Sequence, residues 1–199
     1  MQDMHARSQL LPLLRSPLLG DLLAWLYLHP DASFSATDLA RRFGVSQSTI
    51  SREADRLAVA GLIGETRRGN LRLLQANLDT PLAQPLTELL VRTYGPAAVL
   101  GDLLSPVEGV DEAYVYGSWA ARYAGEPGPP PRDVDVVVVG DADQDDLFDV
   151  ARAAEQTLGR EVNIHRISAK SWHAPGRDPF LTSVRARPLF TIDLPRERA

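Results

Sequence analysis

The sequence predicts an α+β protein whose first half is mainly helical and whose second half is a small mixed sheet with flanking helices. Apolar residues recur at helical spacing between Leu18 and Leu57. A hairpin pattern follows over Gly61–Ala76. In the second half, strand-like runs alternate with helix-like ones, and the apolar run Val136–Val139 is typical of a buried central strand. These three observations define the fold class.

The composition is that of an ordinary globular protein. The chain has 199 residues, of which 44% are hydrophobic and 24% charged, enough for two small domains that each bury a core. It has no cysteine, which excludes disulfides and thiolate metal sites. The apolar run Leu22–Leu28 is too short to span a membrane, and Arg15 and Pro17 interrupt any signal-peptide core. We therefore expect a cytoplasmic protein with no membrane partner.

Charge is distributed unevenly along the chain. The net charge is −5, which taken alone argues against a nucleic-acid partner. Residues 1–100, however, carry ten arginines against nine acids, whereas residues 101–199 carry eleven basic residues against seventeen acidic ones. Within Thr37–Ala76, seven arginines accompany four acids. A local basic segment of this kind is compatible with DNA binding by the first half.

The first helices are predicted from their start and stop signals. Ser16–Pro17 supplies an N-cap and a proline at the first helical position, and the apolar pattern stops near His29–Pro30. A second short helix begins at Ser35–Asp38. Gly44–Ser46 reads as a tight turn, and a third helix is expected over Gln47–Ala60. Two short helices joined by a glycine-containing turn indicate a helix-turn-helix, in which the second helix enters the major groove.

A hairpin with a basic tip follows the third helix. The stretch GLIGETRRGNLRLLQA places two strand-like runs on either side of RRGN, so that Arg67 and Arg68 lie at the tip. Together with FSATDLARRFGVSQSTISREADRLAVAGLI, this stretch resembles the winged helix-turn-helix of bacterial ArsR/MarR-type transcription regulators. The resemblance covers about Ser16–Ala76. It implies double-stranded DNA as a partner and binding as a homodimer on paired half-sites.

The resemblance also implies which residues contact DNA. Polar side chains read base edges, whereas arginines mainly neutralise phosphates. The implied base-reading residues are Gln47, Ser48, Ser51 and Arg52, and the implied backbone contacts are Arg41, Arg42, Arg67 and Arg68. Any single one of these arginines is equally compatible with a solvated surface charge.

Two further helices are predicted between the halves, over Leu86–Tyr94 and Ala97–Leu104. Their apolar stripes are expected to pack between the domains or across a dimer. The predicted organisation is therefore a winged helix-turn-helix DNA-binding domain over residues 1–80, a helical linker over 81–108 and a second domain over 109–199.

The second half places Gly117–Ser118 fourteen residues ahead of an Asp-Val-Asp triplet. Glycine permits close backbone approach, and the serine hydroxyl with the first free amides of a helix favours phosphate. After a proline-rich loop, Asp133 and Asp135 begin a strand, where alternation puts both carboxylates on one side, about 7 Å apart. Two carboxylates at this spacing repel unless a divalent cation lies between them, and Mg²⁺ accompanied by substrate phosphates suits such a pair.

The Gly-Ser pair, the gap and the Asp-Val-Asp before an apolar strand resemble the minimal nucleotidyltransferases of the DNA polymerase β superfamily, over about Val110–Ile167. The resemblance implies a nucleotidyltransferase-like mixed sheet and a nucleoside triphosphate with Mg²⁺ as ligand. In that reading the nucleotide-binding residues are Gly117 and Ser118, and the metal ligands and catalytic residues are Asp133 and Asp135.

The chain departs from this pattern at the third carboxylate. The aligned position holds Asn163, whose amide cannot take a proton at neutral pH. Glu161 lies two residues away on the same strand face, and His165 is either a base or a surface histidine. Nucleotide transfer is therefore less well supported than nucleotide binding.

Several functions stay open at this point. The first, which the amide at Asn163 favours, is a DNA-binding transcription regulator whose second domain senses a Mg-nucleotide or contributes the dimer surface. The second is an active nucleotidyltransferase that transfers a nucleoside monophosphate to a small molecule or protein. The third is an antitoxin-type partner that represses its own operon. The plainest alternative for the aspartate pair is that it merely begins a strand.

Overall fold

The computed structural model describes residues 14–69, 71–129, 131–174, 176 and 178–194. The chain divides into two compact units, Met1–Tyr94 and Gly95–Ala199. Within the described ranges, no helix is long and apolar enough to cross a membrane. Asn70, in the predicted hairpin tip, lies outside the described residues.

The first unit combines four helices with a small antiparallel sheet in the described ranges. In chain order its elements are α1 (Pro17–Leu28), β1 (Phe34–Ser35), α2 (Ala36–Phe43), α3 (Gln47–Val59), β2 (Ile63–Arg68), β3 (Leu71–Ala76) and α4 (Ala83–Tyr94). The sheet order is β1-β3-β2. The helix-turn-helix and the hairpin predicted from the sequence are both present. The two-residue strand β1 was not predicted, because so short a pairing leaves no periodic signal.

Serine caps begin the first three helices at the predicted positions. The hydroxyls of Ser16, Ser35 and Ser46 accept hydrogen bonds from the backbone amides of Leu19, Asp38 and Thr49, respectively. Each cap satisfies one of the amides that a helix start leaves without an intrahelical acceptor. Gly44, with a φ of 66°, ends α2 in the left-handed conformation that its tight turn requires.

The core of the first unit forms where α1 packs against β3 and α4. The largest fully buried side chains there include Leu22, Leu26, Ile50 and Leu74. The hydroxyl of the buried Tyr27 donates to the carbonyl of Leu62 over 2.6 Å, which ties α1 to the residue before the hairpin. In α3, Ile50, Ala54 and Leu57 are buried, so the apolar face of this helix points inward and its polar face points outward.

The second unit is a mixed sheet with helices packed against it, as the sequence predicts. Its elements are α5 (Pro96–Leu104), β4 (Val110–Tyr116), α6 (Gly117–Tyr123), β5 (Asp133–Gly140), α7 (Gln144–Leu158), β6 (Glu161–Ile167), α8 (Ala169–His173), α9 (Pro179–Arg185) and β7 (Phe190–Thr191). The sheet order is β6-β5-β4-β7. The β5–β6 pair is parallel, and β4 pairs antiparallel with β5 and with β7.

The strand β5 is central and buried on both faces. Each residue of Val136–Val139 is 0% exposed, which confirms the interpretation of the four valines. On one face, Val137 and Val139 pack with Trp172 of α8 and with Leu181 of α9. Because strand side chains alternate, Asp133 and Asp135 lie on this same face, at the end that these helices leave open.

The two helices in the segment predicted as a linker pack in different units. Helix α4 packs on α1, and α5 packs on α7 and β4. At the α1–α4 contact, a Cβ on Gly20 would lie 2.7 Å from the Cζ of Tyr94, so a larger residue there would require the Tyr94 side chain to move. The boundary between the compact units falls between Tyr94 and Gly95, inside the predicted segment.

Candidate functional sites

The start of α3 presents polar side chains to solvent. Gln47, Ser48 and Arg52 are exposed, and Ser51 is half-buried. Ile50 and Ala54, on the opposite side of the helix, are 0% exposed. The predicted base-reading residues therefore share the end of one helix, although Ser51 presents less surface than the other three.

A hydrogen-bond cluster orders this end of α3. The hydroxyl of Ser46 lies 2.9 Å from that of Ser48 and 2.8 Å from that of Thr49. The guanidinium of Arg52 lies 3.5 Å from the Thr49 hydroxyl. These contacts hold short polar side chains in place before any ligand binds, which lowers the entropic cost of recognition.

The four arginines predicted to contact the DNA backbone have different surroundings. Arg67 and Arg68, at the end of β2, are exposed. Arg41 is also exposed and forms an ion pair with Asp38 over 3.5 Å. The guanidinium of Arg42 lies 3.2 Å from the centroid of the Trp25 ring. Burial lowers the pKa of Arg42.

The second candidate site forms where β4, α6, β5 and β6 meet. The Ser118 hydroxyl lies 3.5 Å from the Oδ1 of Asp133. A Cβ on Gly117, whose φ is 74°, would overlap the Oδ2 of Asp135. Asp135 is in register with Tyr116 of β4 on one side and with Asn163 of β6 on the other. The structure thus brings together the Gly-Ser pair and both aspartates, and it places Asn163 beside Asp135 on the neighbouring strand.

The electrostatics of this site disfavour two bare carboxylates. Burial and the negative charge of Asp133 raise the pKa of Asp135, and a hydrogen bond from Asn163 opposes them. That bond spans 3.5 Å from the Asn163 Nδ2 to the Asp135 Oδ1, at the outer limit for a hydrogen bond. Burial, and then the charge of Asp135, raises the pKa of Tyr116 to about 12. Tyr116 therefore stays neutral at physiological pH and remains a hydrogen-bond donor.

The donor set suits a hard cation that brings other ligands with it. Two carboxylates are oxygen donors of the type that Mg²⁺ prefers, and the Asn163 amide, whose Nδ2 faces Asp135, would have to turn its oxygen toward a cation to join them. Among the described residues, no group of three or more His, Asp or Glu side chains is placed to hold a metal ion. Glu161 is in register with Asp133, and this pair lies two residues along the strands from the pair of Asp135 and Asn163. A cation here would take its remaining ligands from phosphate or water.

Two arginines fix the proline-rich loop that leads to Asp133. Arg122 of α6 donates to the carbonyl of Glu126 over 2.8 Å and to that of Pro129 over 3.1 Å. Arg160 donates to the carbonyl of Pro131. The loop is therefore attached to α6 and to the start of β6, and it delivers the first aspartate at a defined place.

Comparison with known proteins identifies the first unit. Residues 20–70 match the model of the MarR family, a span that begins within α1 and includes α2, α3 and β2. The first unit contains a MarR-family winged-helix domain. Of the two families named together in the sequence-based resemblance, the match is to MarR. Comparison with curated proteins finds no match.

Two solved structures are similar to parts of the chain. The transcriptional regulator BldR from Sulfolobus solfataricus is 23% identical, with a TM-score of 0.38, over 50% of this chain and 69% of that one. The YusO protein from Bacillus subtilis is 25% identical, with a TM-score of 0.33, over 46% of this chain and 62% of that one. Both TM-scores are below 0.5, so the two folds agree with this chain only in part.

In the first unit, sequence reasoning missed Arg72. This residue lies opposite Arg67 in the β2–β3 pairing. Its guanidinium forms ion pairs with Asp55 of α3, over 2.6 Å, and with Glu65 of β2. It therefore connects α3 to the hairpin. The only available signal was a basic residue in a strand near two acids, which does not by itself identify partners.

Proposed function

We propose that this chain is a homodimeric transcription regulator that binds double-stranded DNA through α3 and the β2–β3 hairpin. The observation that carries the proposal is the exposed polar start of α3, in a MarR-family domain whose hairpin presents Arg67 and Arg68 to solvent. A helix of this kind fits the major groove, and a basic hairpin fits phosphates or the minor groove.

The roles within this surface follow from side-chain chemistry. Gln47 and Arg52 can form paired hydrogen bonds with adenine and guanine edges, respectively, whereas Ser48 accepts or donates to either. Arg67 and Arg68 supply sequence-independent affinity through phosphates. Arg42 holds its guanidinium against Trp25, so it contributes positive charge from a fixed position.

The test is the salt dependence of binding to DNA from the chain's own promoter. Replacing both hairpin arginines, Arg67→Ala with Arg68→Ala, should weaken binding to all sequences alike. It should also reduce the slope of log K against log salt by about 2 per protomer, because each lost phosphate contact removes about one counterion. Fluorescence anisotropy at several salt concentrations measures both quantities.

The matched control is Arg92→Ala with Arg187→Ala, which removes the same charge from two exposed positions outside the surface. Its slope should equal that of the unmodified protein. An unchanged slope in the hairpin variant would rule out hairpin contact with DNA. An equal decrease of the slope in both variants would show that net charge, and not a contact of the hairpin, determines the salt dependence.

For the second unit, we propose a binding site for a nucleoside triphosphate with Mg²⁺. What supports it is the meeting of the Ser118 hydroxyl, Asp133 and Asp135 at one end of the sheet, beside an amide at Asn163. Ser118 is exposed and can donate to a phosphate oxygen. A bound cation would supply positive charge to both the phosphates and the aspartates.

The aspartates explain why binding would need the cation. The negative charge of Asp133 raises the pKa of Asp135, so it disfavours the ionised form of Asp135. A triphosphate brought there without a cation would add further negative charge. Binding at this site should therefore depend strictly on a divalent cation.

Calorimetry tests this proposal. The protein should bind at least one of the four common nucleoside triphosphates in the presence of Mg²⁺, and Asp133→Asn with Asp135→Asn should abolish that binding. Asp111→Asn with Asp149→Asn, two exposed carboxylates of the same unit, is the charge-matched control and should bind normally. No binding heat for any of the four triphosphates would contradict a nucleotide site.

Nucleotide transfer is the second candidate function, and the shared location of Ser118 and both aspartates is what favours it. Transfer would join an acceptor oxygen to the α-phosphorus and release pyrophosphate. The acceptor's proton must go to a base, and Asn163 cannot take it. Incubation with labelled triphosphates and cell extract separates the two functions, since only transfer leaves label on an acceptor.

A further inference from the structure

Beside the two aspartates lies a cluster of three aromatic side chains, Tyr116, His165 and Phe180. We propose that this aromatic cluster binds the base of the nucleotide. The inference rests on the proposed nucleotide site, and it deepens that proposal by naming what holds the part of the ligand that the aspartates and Ser118 do not reach. Stacking on aromatic side chains accepts any base, because every base has a π-face.

Strand register places the cluster on the same sheet face as the carboxylates. Tyr116 pairs with Asp135, and His165 pairs with Val137, the next residue of β5 on that face. Two residues along a strand correspond to about 7 Å, so Tyr116 lies in the same side-chain row as Asp135 and His165 lies one row further. A nucleotide whose phosphates reach the aspartates can therefore place its base over this row.

The three rings contact one another around a common point. The Phe180 ring lies 5.4 Å from that of His165 and 5.9 Å from that of Tyr116, measured between centroids. Tyr116 and His165 are 6.4 Å apart. Phe180 meets Tyr116 at 87°, edge to face. This mutual contact orders three rings that come from β4, β6 and α9.

The exposure of the cluster distinguishes it from the packing beside it. On the covered part of this sheet face, Trp172 is 5% exposed and Leu181 is 1% exposed. Phe180 is 39% exposed, and His165 is also exposed. The aromatic cluster is thus the solvent-exposed edge of a sheet face that Trp172 and Leu181 otherwise bury, and it adjoins the carboxylates through the pairing of Tyr116 with Asp135. An aromatic ring left exposed at that place is available to stack on a ligand.

A competing position for a base exists along the outer edge of β6. A groove of about 550 Å³ there is lined by residues that include Phe148, Arg152, Asn163 and His165. Phe148 is 61% exposed. Because it belongs to α7 and not to the aromatic cluster, its replacement serves as the matched control for Phe180.

The experiment compares two ligands on the full chain. Mg·ATP carries a base, whereas Mg·tripolyphosphate carries only the phosphates. Phe180→Ala should weaken Mg·ATP binding at least about fivefold, the smallest effect expected for one stacked base. It should leave Mg·tripolyphosphate unchanged. Phe180→Trp should retain the affinity for Mg·ATP, and Phe148→Ala should behave like the unmodified protein.

Each outcome separates this inference from the nucleotide site itself. If neither Mg·tripolyphosphate nor any of the four Mg-bound nucleoside triphosphates binds the unmodified protein, the nucleotide site fails and the inference fails with it. If both ligands bind and Phe180→Ala changes neither affinity or both equally, the nucleotide site stands and the aromatic cluster is not its base subsite. A loss in Phe148→Ala alone would place the base in the groove beside β6. Phe180→Leu, which keeps an apolar side chain and removes the ring, repeats the test should Phe180→Ala prove unstable by thermal unfolding.

Discussion

Asp135 is held in surroundings that work against its ionised form. Burial and the charge of Asp133 raise its pKa, and the weak hydrogen bond from Asn163 offsets only part of this. A residue chosen for stability alone would not carry a charge there, since desolvated carboxylates are costly. Proteins keep such residues where a ligand uses them, at the expense of stability.

This cost predicts a pH-dependent stabilisation by Asp135→Asn. The pKa of Asp135 is higher in the folded than in the unfolded chain, so the folded chain binds more protons between those two values. Stability from this group therefore falls as the pH rises through that window. At pH 7 the variant should unfold at a temperature higher by on the order of 2 °C. The gain should shrink as the pH approaches about 4, where aspartate normally titrates.

Differential scanning calorimetry across this pH range measures the effect. Asp111→Asn, at an exposed position on β4, should show no such gain. A midpoint that falls in Asp135→Asn, or a gain that does not vary with pH, would show that the carboxylate does not destabilise the fold.

Among the elements, α3 and the β2–β3 hairpin are connected by the ion pairs of Arg72. Arg72 contacts an acid on α3 and another on β2, and its side chain is 28% exposed. Ion pairs at such partly buried positions are worth about 1 kcal/mol or less each, so Arg72 contributes little to global stability. What it provides is the orientation of the hairpin relative to α3.

Arg72→Leu should therefore loosen the hairpin more than it destabilises the fold. Amide hydrogen exchange in Ile63–Arg68 and Leu71–Ala76 should accelerate, and the free energy of unfolding should fall by about 1 kcal/mol. The control is Arg67→Leu, which removes an exposed arginine from the opposite position of the same hairpin. Equal exchange rates in the two variants would show that the ion pairs of Arg72 do not hold the hairpin.

How much of these elements the sequence predicts depends on how local their causes are. Serine caps, Gly44 and the valine run of β5 act over a few residues, so their elements were placed within a few residues of the observed bounds. The two-residue strand β1, the ion pairs of Arg72 and the contact of Phe180 with Tyr116 join segments distant in the chain. Such contacts leave no periodic trace in one sequence.

The candidate sites divide in the same way. The side-chain alternation that puts Asp133 and Asp135 on one face, and the alignment of Asn163 with Asp135, both follow from strand geometry. The stacking of Arg42 on Trp25 does not, because it depends on how α2 lies against α1. The sequence also does not reveal that the Pro-rich loop is held through its carbonyl groups.

For the whole molecule, a sensor function requires that the two ligands influence each other. If nucleotide binding by the second unit regulates the first, saturating Mg·ATP should change the DNA dissociation constant, typically by about 5- to 150-fold in allosteric proteins. DNA must then change the dissociation constant for Mg·ATP by the same factor, because the coupling is reciprocal.

Anisotropy titrations with and without Mg·ATP measure this coupling. In Asp133→Asn with Asp135→Asn, the DNA affinity should no longer respond to Mg·ATP. An operator affinity that is identical in both conditions, despite proven nucleotide binding, would mean that the second unit does not act as a sensor for the first.

The arginine contacts to the proline-rich loop have one further consequence. Arg122 and Arg160 donate hydrogen bonds to main-chain carbonyl oxygens, which every amino acid possesses. Substitutions that keep the path of the main chain therefore leave these attachments intact, whatever side chains they introduce. We therefore expect relatives of this protein to vary in the sequence of this loop while the aspartate that follows it keeps its position.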